Sequence, residues 1–340
     1  MRGYDYDYGY EHRCTFLNGS TSGNIIGDDV MGVHGEIVIG SRGSRLAMVQ
    51  AELVKRQLEM AWPSLSITIQ KIKTTGDKVR NVALDKIGGK GLFTKEIERA
   101  LLAGAIDLAV HSMKDLPTAL PGGLAIGAVT AREDPHDGLV ATGAADLGSL
   151  PAGARLATGS LRRKAQVLNV RPDLEIRDLR GNLDTRLRKL DRREFDAMIV
   201  ACAGMRRMGK DDRITEVLPY SVMLPAVGQG ALAVEIRKDD QRACEVAAPI
   251  NDAATEACVT AERAMLTRLR GGCHVPIGAV AEIDGGVLRI EGVVATLDGS
   301  EVLRAAADGS LDAAGEVGTR AAEQLLDMGA DRILEEAGTG

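Results

Sequence analysis

From residue 36 onward the chain alternates short apolar runs with stretches of helical spacing, and this alternation restricts it to a layered α/β build. EIVIG (36–40) reads as a strand, and LAMVQAELVKRQLEM (46–60) repeats its apolar positions every three to four residues. LSITIQKIK predicts a strand, FTKEIERALLAG a helix and AIDLAVH a strand, with LAIGAVTA following a proline turn. RLATG, LRRKAQVLNV, LEIRDL, TRLRKLDRR and FDAMIVA (155–201) repeat the scheme as a second, parallel-rich unit of similar size. PAVGQGALAVEI (225–236) supplies one more strand after a glycine-rich turn. Near residue 252 the pattern changes: one long helix, AATEACVTAERAMLTRL, precedes the strand-like IGAVAEI, VLRIEGVVA and EVLRAAA and a final helix, LDAAGEVGTRAAEQLLDMGA. Strands grouped between helices predict a small α+β third unit.

Composition excludes several classes. With 340 residues, 45% hydrophobic and 26% charged, the chain suits two or three globular domains. No apolar run approaches the roughly 20 residues of a membrane span, and MRGYDYDYGY lacks the apolar core of a secretory signal. The five cysteines form no CxxC pair, which argues for free thiols in a reducing compartment, so a cytoplasmic location is expected. The five histidines are scattered and no Cys/His set has zinc-site spacing, so no metal is expected. Beyond residue 34 the only aromatics are Trp62, Phe93, Phe195 and Tyr220, and the net charge is −6. A base-stacking platform is hard to build from that, and a nucleic-acid partner is disfavoured. Residues 1–34, rich in Gly, Tyr and Asp without periodicity, read as a disordered extension.

Positive charge is nonetheless concentrated. Residues 155–193 hold twelve Lys/Arg against five acids. Solvated helix faces account for Arg188, Lys189, Arg192 and Arg193 at least as well as any site does. ATGSLRRK is different: Thr158 and Ser160 stand where a strand meets a helix, with Arg162 and Arg163 in the first turn, where an anion would be favoured. DLRGNLDTR repeats the theme with Arg180 and Arg186 around a glycine turn. In the first unit, GSRGSRLA places Arg42 and Ser44 at a strand end, and KIGGKGLF offers Lys86 and Lys90 on a loop that is either flexible or an anion clamp. It is not a phosphate loop of the Walker type, since no Ser or Thr follows Lys90.

AVHSMKDLP delivers Ser112, Lys114 and Asp115 to the carboxyl end of a strand, where open α/β sheets place their ligands. Asp115 could cap a turn or serve as a proton shuttle beside basic groups. LRGGCHVPIG (269–278) sets Cys273 between two glycines and a proline, an exposed loop rather than a core position. Nucleophile, redox sensor and covalent tether all fit that thiol, and a dyad with His274 is not favoured, because adjacent side chains on an extended loop diverge.

GSRGSRLA, TTGD, IGGKGLFTKE, AVHSMKDLP, EDPHDGLV, GSLRR, LRGN with TR, LPAVGQGA, TAERAM and GGCHVPIG occur in order over about nine tenths of the chain. Together they resemble the porphobilinogen deaminase (hydroxymethylbilane synthase) family. The resemblance implies an enzyme, a transferase of tetrapyrrole biosynthesis. It joins four porphobilinogen molecules head to tail, releases four ammonias and liberates the linear hydroxymethylbilane. It implies a dipyrromethane cofactor held through a thioether to Cys273, and Asp115 as the catalytic acid/base that stabilises the cationic azafulvene and pyrroleninium nitrogens. Lys114, Thr158, Ser160, Arg162 and Arg163 would bind the cofactor; Arg42, Ser44, Lys86, Lys90, Arg180, Arg186, Arg207 and Gln229 would bind substrate carboxylates.

The implied fold is two periplasmic-binding-protein-like, doubly wound α/β domains plus a small α+β C-terminal domain carrying the cysteine. The expected bounds are 35–130 with 226–250 for domain 1, 131–225 for domain 2 and 251–340 for domain 3. A monomer is implied, with no membrane partner. Three positions depart from the family pattern: Gly159 where a hydroxyl residue is common, Arg45 where proline is frequent, and His274 where glutamine is frequent. From residues alone, a two-lobed anion-binding protein without catalysis is the rival reading, but it leaves the Cys273 loop unexplained.

Overall fold

The structure, a computed structural model, describes residues 35–75, 94–270 and 275–338. Its first five-stranded sheet comprises β1 (Gly35–Arg42), β2 (Leu65–Ile72), β3 (Leu108–Ser112), β4 (Leu124–Val129) and β10 (Leu232–Arg237), in the order β2-β1-β3-β10-β4. The second comprises β5 (Asp137–Ala141), β6 (Arg155–Ala157), β7 (Glu175–Arg177), β8 (Ala197–Ala201) and β9 (Glu216–Val217), in the order β7-β6-β8-β5-β9. The third is the antiparallel meander β11 (Ile277–Asp284), β12 (Val287–Ala295) and β13 (Val302–Gly309).

The first two sheets share one plan. β1 runs parallel to β2 and β3, and β6 runs parallel to β7 and β8. Each sheet then takes one strand in the opposite sense, β10 between β3 and β4, and β5 between β8 and β9. These two strands are where the chain enters each sheet after crossing from the other. The sheets are therefore mixed rather than parallel-rich, because a chain that has crossed over arrives at the far end. The doubly wound α/β build of the two larger units, with helices on both faces of each sheet, and the small α+β C-terminal unit stand as expected.

Helices cover the sheets. In the first unit lie α1 (Arg45–Ala61), α2 (Lys95–Leu102) and α6 (Gln241–Ala247); in the second, α3 (Leu161–Val170), α4 (Leu183–Asp191) and α5 (Cys202–Arg207). α7 (Ala253–Arg268), α8 (Ala314–Asp327) and α9 (Ala330–Gly338) belong with the meander. Ala51, Val54 and Leu58 of α1 are wholly buried against Ile37, Ile39 and Val234, the apolar stripe that its spacing predicts. The final helix ends sooner than its periodicity suggests. Gly329 takes φ +94°, a left-handed stop, and α9 starts anew after it. Cys202 and Cys258 are buried free thiols, while Cys14 and Cys273 lie outside the described residues.

Two crossovers, residues 130–136 and 218–231, join the first two sheets, and they lie side by side. Glu133 N donates to Gly230 O at 3.2 Å, Thr130 N to Leu232 O at 3.1 Å and Gln229 Nε2 to Pro135 O at 2.7 Å. The third unit docks on these same strands. Ala279 N donates to Pro225 O at 2.9 Å, and Leu224 packs with Val280 and Val293. Glu262 of α7, fully buried, accepts from Gly228 N at 2.6 Å, Ala281 N at 2.8 Å and both terminal nitrogens of Arg132.

Candidate functional site

Helix N-termini face the space between the first two sheets, because β1 and β6 each run directly into a helix at their carboxyl ends. Ser44 caps α1, its Oγ accepting from Ala47 N at 3.3 Å, and Ser160 caps α3, accepting from Arg163 N at 3.5 Å. Thr158, buried at the end of β6, accepts from Ser160 N at 3.2 Å. Neither α1 nor α3 has an acidic side chain in its first turn, so their N-terminal partial charges are left for an anion.

Arg162 and Arg163 are drawn into the protein by a residue that sequence reasoning passed over. Asp137, fully buried at the start of β5, accepts from Arg162 Nη1 at 2.7 Å, Arg163 Nη2 at 2.6 Å and Gln229 Nε2 at 2.8 Å. Burial alone would raise the Asp137 carboxyl, but the two guanidinium groups outweigh it and hold it well below the usual carboxylate range. Arg162 also donates to Leu224 O at 2.6 Å and Arg163 to Ile199 O at 3.1 Å. The buried Nε of Arg163 has no hydrogen-bond partner among the described residues. The signal in the sequence was Asp137 itself, an acid opening the apolar run GLVA, where a lone charge would be prohibitive without cations.

Gln229 ties this cluster to the first sheet. It donates to Asp137 and accepts from Lys114 Nζ at 3.1 Å. Lys114 and Asp115 sit on a single 3-10 turn directly after β3. Partial burial, with Arg163 and Arg162 nearby, pushes the Lys114 ammonium down to about 8, against the opposing pull of Asp115 and Asp137. Asp115 is exposed, and no hydrogen bond or ion pair engages its carboxylate among the described residues. Its charge also acts on Arg186 of α4, on the opposite wall. Arg186 is pushed down to about 10 by burial, then by Arg163 and Arg180; its Nε donates to Gly181 O at 2.8 Å. Arg180 reaches Asp178 at 3.0 Å. Arg207 of α5 is likewise lowered to about 10, chiefly by burial, and donates to Gly230 O at 2.6 Å. Arg42 ends β1 beside the α1 cap.

The structure thus brings together Lys114, Asp115, Arg162, Arg163, Arg186 and Gln229 from both sheets. Cys273, Lys86 and Lys90 lie outside the described residues. The turn bearing Asp115 is held from the third unit by a further residue missed in the sequence. Arg263 of α7, buried, donates to Pro117 O at 2.8 Å and Thr118 O at 3.0 Å. Two of the departures also have a place. A Cβ on Gly159 would stand 2.8 Å from Leu179 O, so a side chain there would force the backbone to shift. Arg45 reaches Asp184 of α4 at 3.7 Å, which links the first turns of α1 and α4 across the two sheets.

A group rich in carboxylates fits this surface. The orphaned Nε of Arg163, the un-neutralised helix ends and three cations held below their ordinary values all call for anions.

Comparison with known proteins gives the same answer. Residues 37–245 match the model described as porphobilinogen deaminase, dipyromethane cofactor binding domain, and residues 256–327 match the porphobilinogen deaminase C-terminal domain. The chain is 51% identical over 300 residues to a porphobilinogen deaminase of Syntrophobacter fumaroxidans, covering 88% of this chain and 97% of that protein. It is 53% identical over 301 residues to one of Moorella thermoacetica, covering 88% and 96% respectively. Among solved structures, the methionine-binding protein MetQ is similar with a TM-score of 0.41 at 12% identity, over 63% of this chain and 89% of that one. With both family models matched in order along one chain, this protein belongs to the porphobilinogen deaminase family.

Proposed function

We propose that this chain is a hydroxymethylbilane synthase, joining four porphobilinogen molecules head to tail with release of four ammonias and then liberating the linear tetrapyrrole. The observation that carries this reading is the pair of cations Lys114 and Arg186, both within electrostatic reach of the exposed Asp115 and both crowded by Arg163. Each porphobilinogen carries an acetate and a propionate, so a growing chain brings many carboxylates into one cleft, where unpaired burial would be costly.

Thr158, Ser160, Lys114, Arg162 and Arg163 hold the dipyrromethane cofactor, with Cys273 as its thioether anchor. When bound, the cofactor supplies the nucleophilic pyrrole position to which the first substrate is joined. Arg42, Ser44, Lys86, Lys90, Arg180, Arg186 and Arg207 receive substrate carboxylates. Gln229 supports the site by orienting the Lys114 ammonium and closing the Asp137 cluster. Asp115 has no competing partner among the described residues, so its Oδ atoms are available to the substrate. It gives a proton to the departing amine and offers a carboxylate to the cationic pyrrole nitrogen that forms. Capped helix ends and arginine forks orient the rings through their carboxylates, leaving Asp115 to act on nitrogen.

We assign residues 35–130 with 226–250 to one domain, 131–225 to a second and 251–340 to a third, the cleft lying between the first two. No helix among the described residues is long and apolar enough to cross a membrane. A cytoplasmic monomer is the assembly consistent with this reading.

The test is the intact mass of the purified chain together with turnover. The chain should carry an adduct of two pyrrole units that is absent from Cys273→Ser, and Asp115→Asn should retain the adduct while losing turnover. An unmodified chain that still consumes porphobilinogen would remove the role given to Cys273, and near-normal turnover by Asp115→Asn would remove that of Asp115.

A further inference from the structure

The crossovers hold a feature that the chemistry above leaves unused. His136 and Tyr220 stack face to face, ring centroids 4.1 Å apart and planes within 2° of parallel. His136 is the last residue of the first crossover and Tyr220 lies near the start of the second. Tyr220 is one of only four aromatic residues (Phe, Trp or Tyr) beyond position 34, so the chain spends a scarce side chain here.

Both rings are fixed from outside the stack. The His136 Nδ1 lies 2.6 Å from Asp134 Oδ1, and the other Asp134 oxygen takes Arg206 Nη2 at 2.8 Å, which ties the imidazole to α5 of the second unit. The Tyr220 hydroxyl donates to Glu282 Oε1 at 3.3 Å, and its carbonyl accepts from Arg304 Nη2 at 2.9 Å, which ties the phenol to the third sheet. Around the stack the strands are pinned by backbone bonds: Cys202 N to His136 O at 3.0 Å and Leu218 N to Asp137 O at 2.9 Å.

Two flat rings in contact can slide or rotate in their common plane at little cost, but they cannot open like a book without losing the contact. We propose that the His136–Tyr220 stack is a pivot bearing, which lets the two crossovers shear past one another and blocks their splaying, so that the cleft walls close along one path. His136 and Tyr220 are then positioning residues for the reaction, acting through the approach of the second wall, with Arg186, to Asp115 and Lys114 on the first. This rests on the function proposed above only for its kinetic consequence; the mechanical claim stands on the stack.

The experiment uses the full chain with its adduct and compares His136→Ala, His136→Phe, Tyr220→Ala and Tyr220→Phe. Hydrogen exchange is read at Cys202, Leu218 and Glu133, whose amides bond at or beside the crossovers, and KM and kcat are read for porphobilinogen. Both alanine variants should exchange at least about tenfold faster at these three amides and show KM raised about fivefold with kcat within about twofold. His136→Phe and Tyr220→Phe should restore slow exchange and low KM, since they keep the faces and lose only polar contacts. The double alanine variant should be no worse than either single one. Wild-type exchange in the alanine variants would overturn the proposal, as would a failure of His136→Phe to rescue. If the wild-type chain did not consume porphobilinogen, the proposed function would fall, and the exchange rates would still decide the pivot.

Discussion

The Lys114 ammonium donates to the Gln229 amide oxygen at 3.1 Å, so the turn that carries Asp115 is bonded to the crossover leading out of the second sheet. That contact places a cation of lowered pKa where it is sensitive both to ligand carboxylates and to the relation of the two walls.

Its titration has two opposite consequences. Lys114 is lowered from 10.5 to about 8 in the folded chain. Between those values the unfolded state holds the proton that the folded state has lost, so the contribution of Lys114 to stability rises with pH. Carboxylate binding needs the ammonium, so the proposed hold of Lys114 on the cofactor, to which the first porphobilinogen is joined, loosens over the same range and substrate affinity falls with it. KM for porphobilinogen should climb through about pH 8, and Lys114→Arg should flatten that climb; an unchanged profile would count against Lys114 as a carboxylate ligand.

Asp137→Asn should destabilise the protein by about 3–5 kcal/mol, because it leaves Arg162 and Arg163 as buried cations without their anion. The folded-state pKa of Asp137 is depressed, so its contribution is present above the unfolded value of about 3.9 and is lost as pH falls below it. Urea denaturation at pH 7 should separate wild type from variant, and the gap should narrow on acidification below about pH 4.

Arg263→Leu removes the donors to the carbonyls of Pro117 and Thr118. The turn at Asp115 loses its support from α7, and kcat should drop by up to about 100-fold with a much smaller change in KM. Arg263→Lys should recover part of the rate; equal losses in kcat and thermal midpoint for both variants would mark a general folding defect instead.

Restoring a hydroxyl at position 159 should harm rather than help. Gly159→Ser places a Cβ against Leu179 O, at a cost of about 1–3 kcal/mol. Thermal denaturation should show the loss, while turnover per folded molecule stays within about twofold; a stabilised variant would contradict the crowding at Leu179.

The layered fold was legible because hydrophobic periodicity is a local property. EIVIG, LAVH and AMIVA fall in strands, and the α1 stripe at Ala51, Val54 and Leu58 is buried as its spacing requires. Motif order exposed Asp115 and the arginines in the same way. What was hidden lies in pairs far apart in sequence: Arg132 with Glu262, Arg263 with Pro117, and Asp137 with Arg162 and Arg163. Arg162 and Arg163 read as ligand forks because arginines beside a helix start suit an anion. Only the folded chain reveals that an internal carboxylate already claims part of each. The antiparallel entry of β5 and β10 was equally invisible, since strand direction depends on where the chain crosses and leaves no periodic trace.

The third unit touches the crossovers through Glu262, Ala279, Arg304 and the Leu224 cluster, the turn after β3 through Arg263, and α3 through Gly299 O, which accepts from Asn169 Nδ2 at 3.0 Å. An opening of the cleft about the crossovers would leave the part of the third unit fastened to them almost no lever arm. In such an opening, whatever is rooted beside the crossovers in the third unit would travel least. With Cys273 as the proposed anchor, a chain growing from that unit would keep a nearly fixed origin, and room for each added ring would have to come from displacement of the walls.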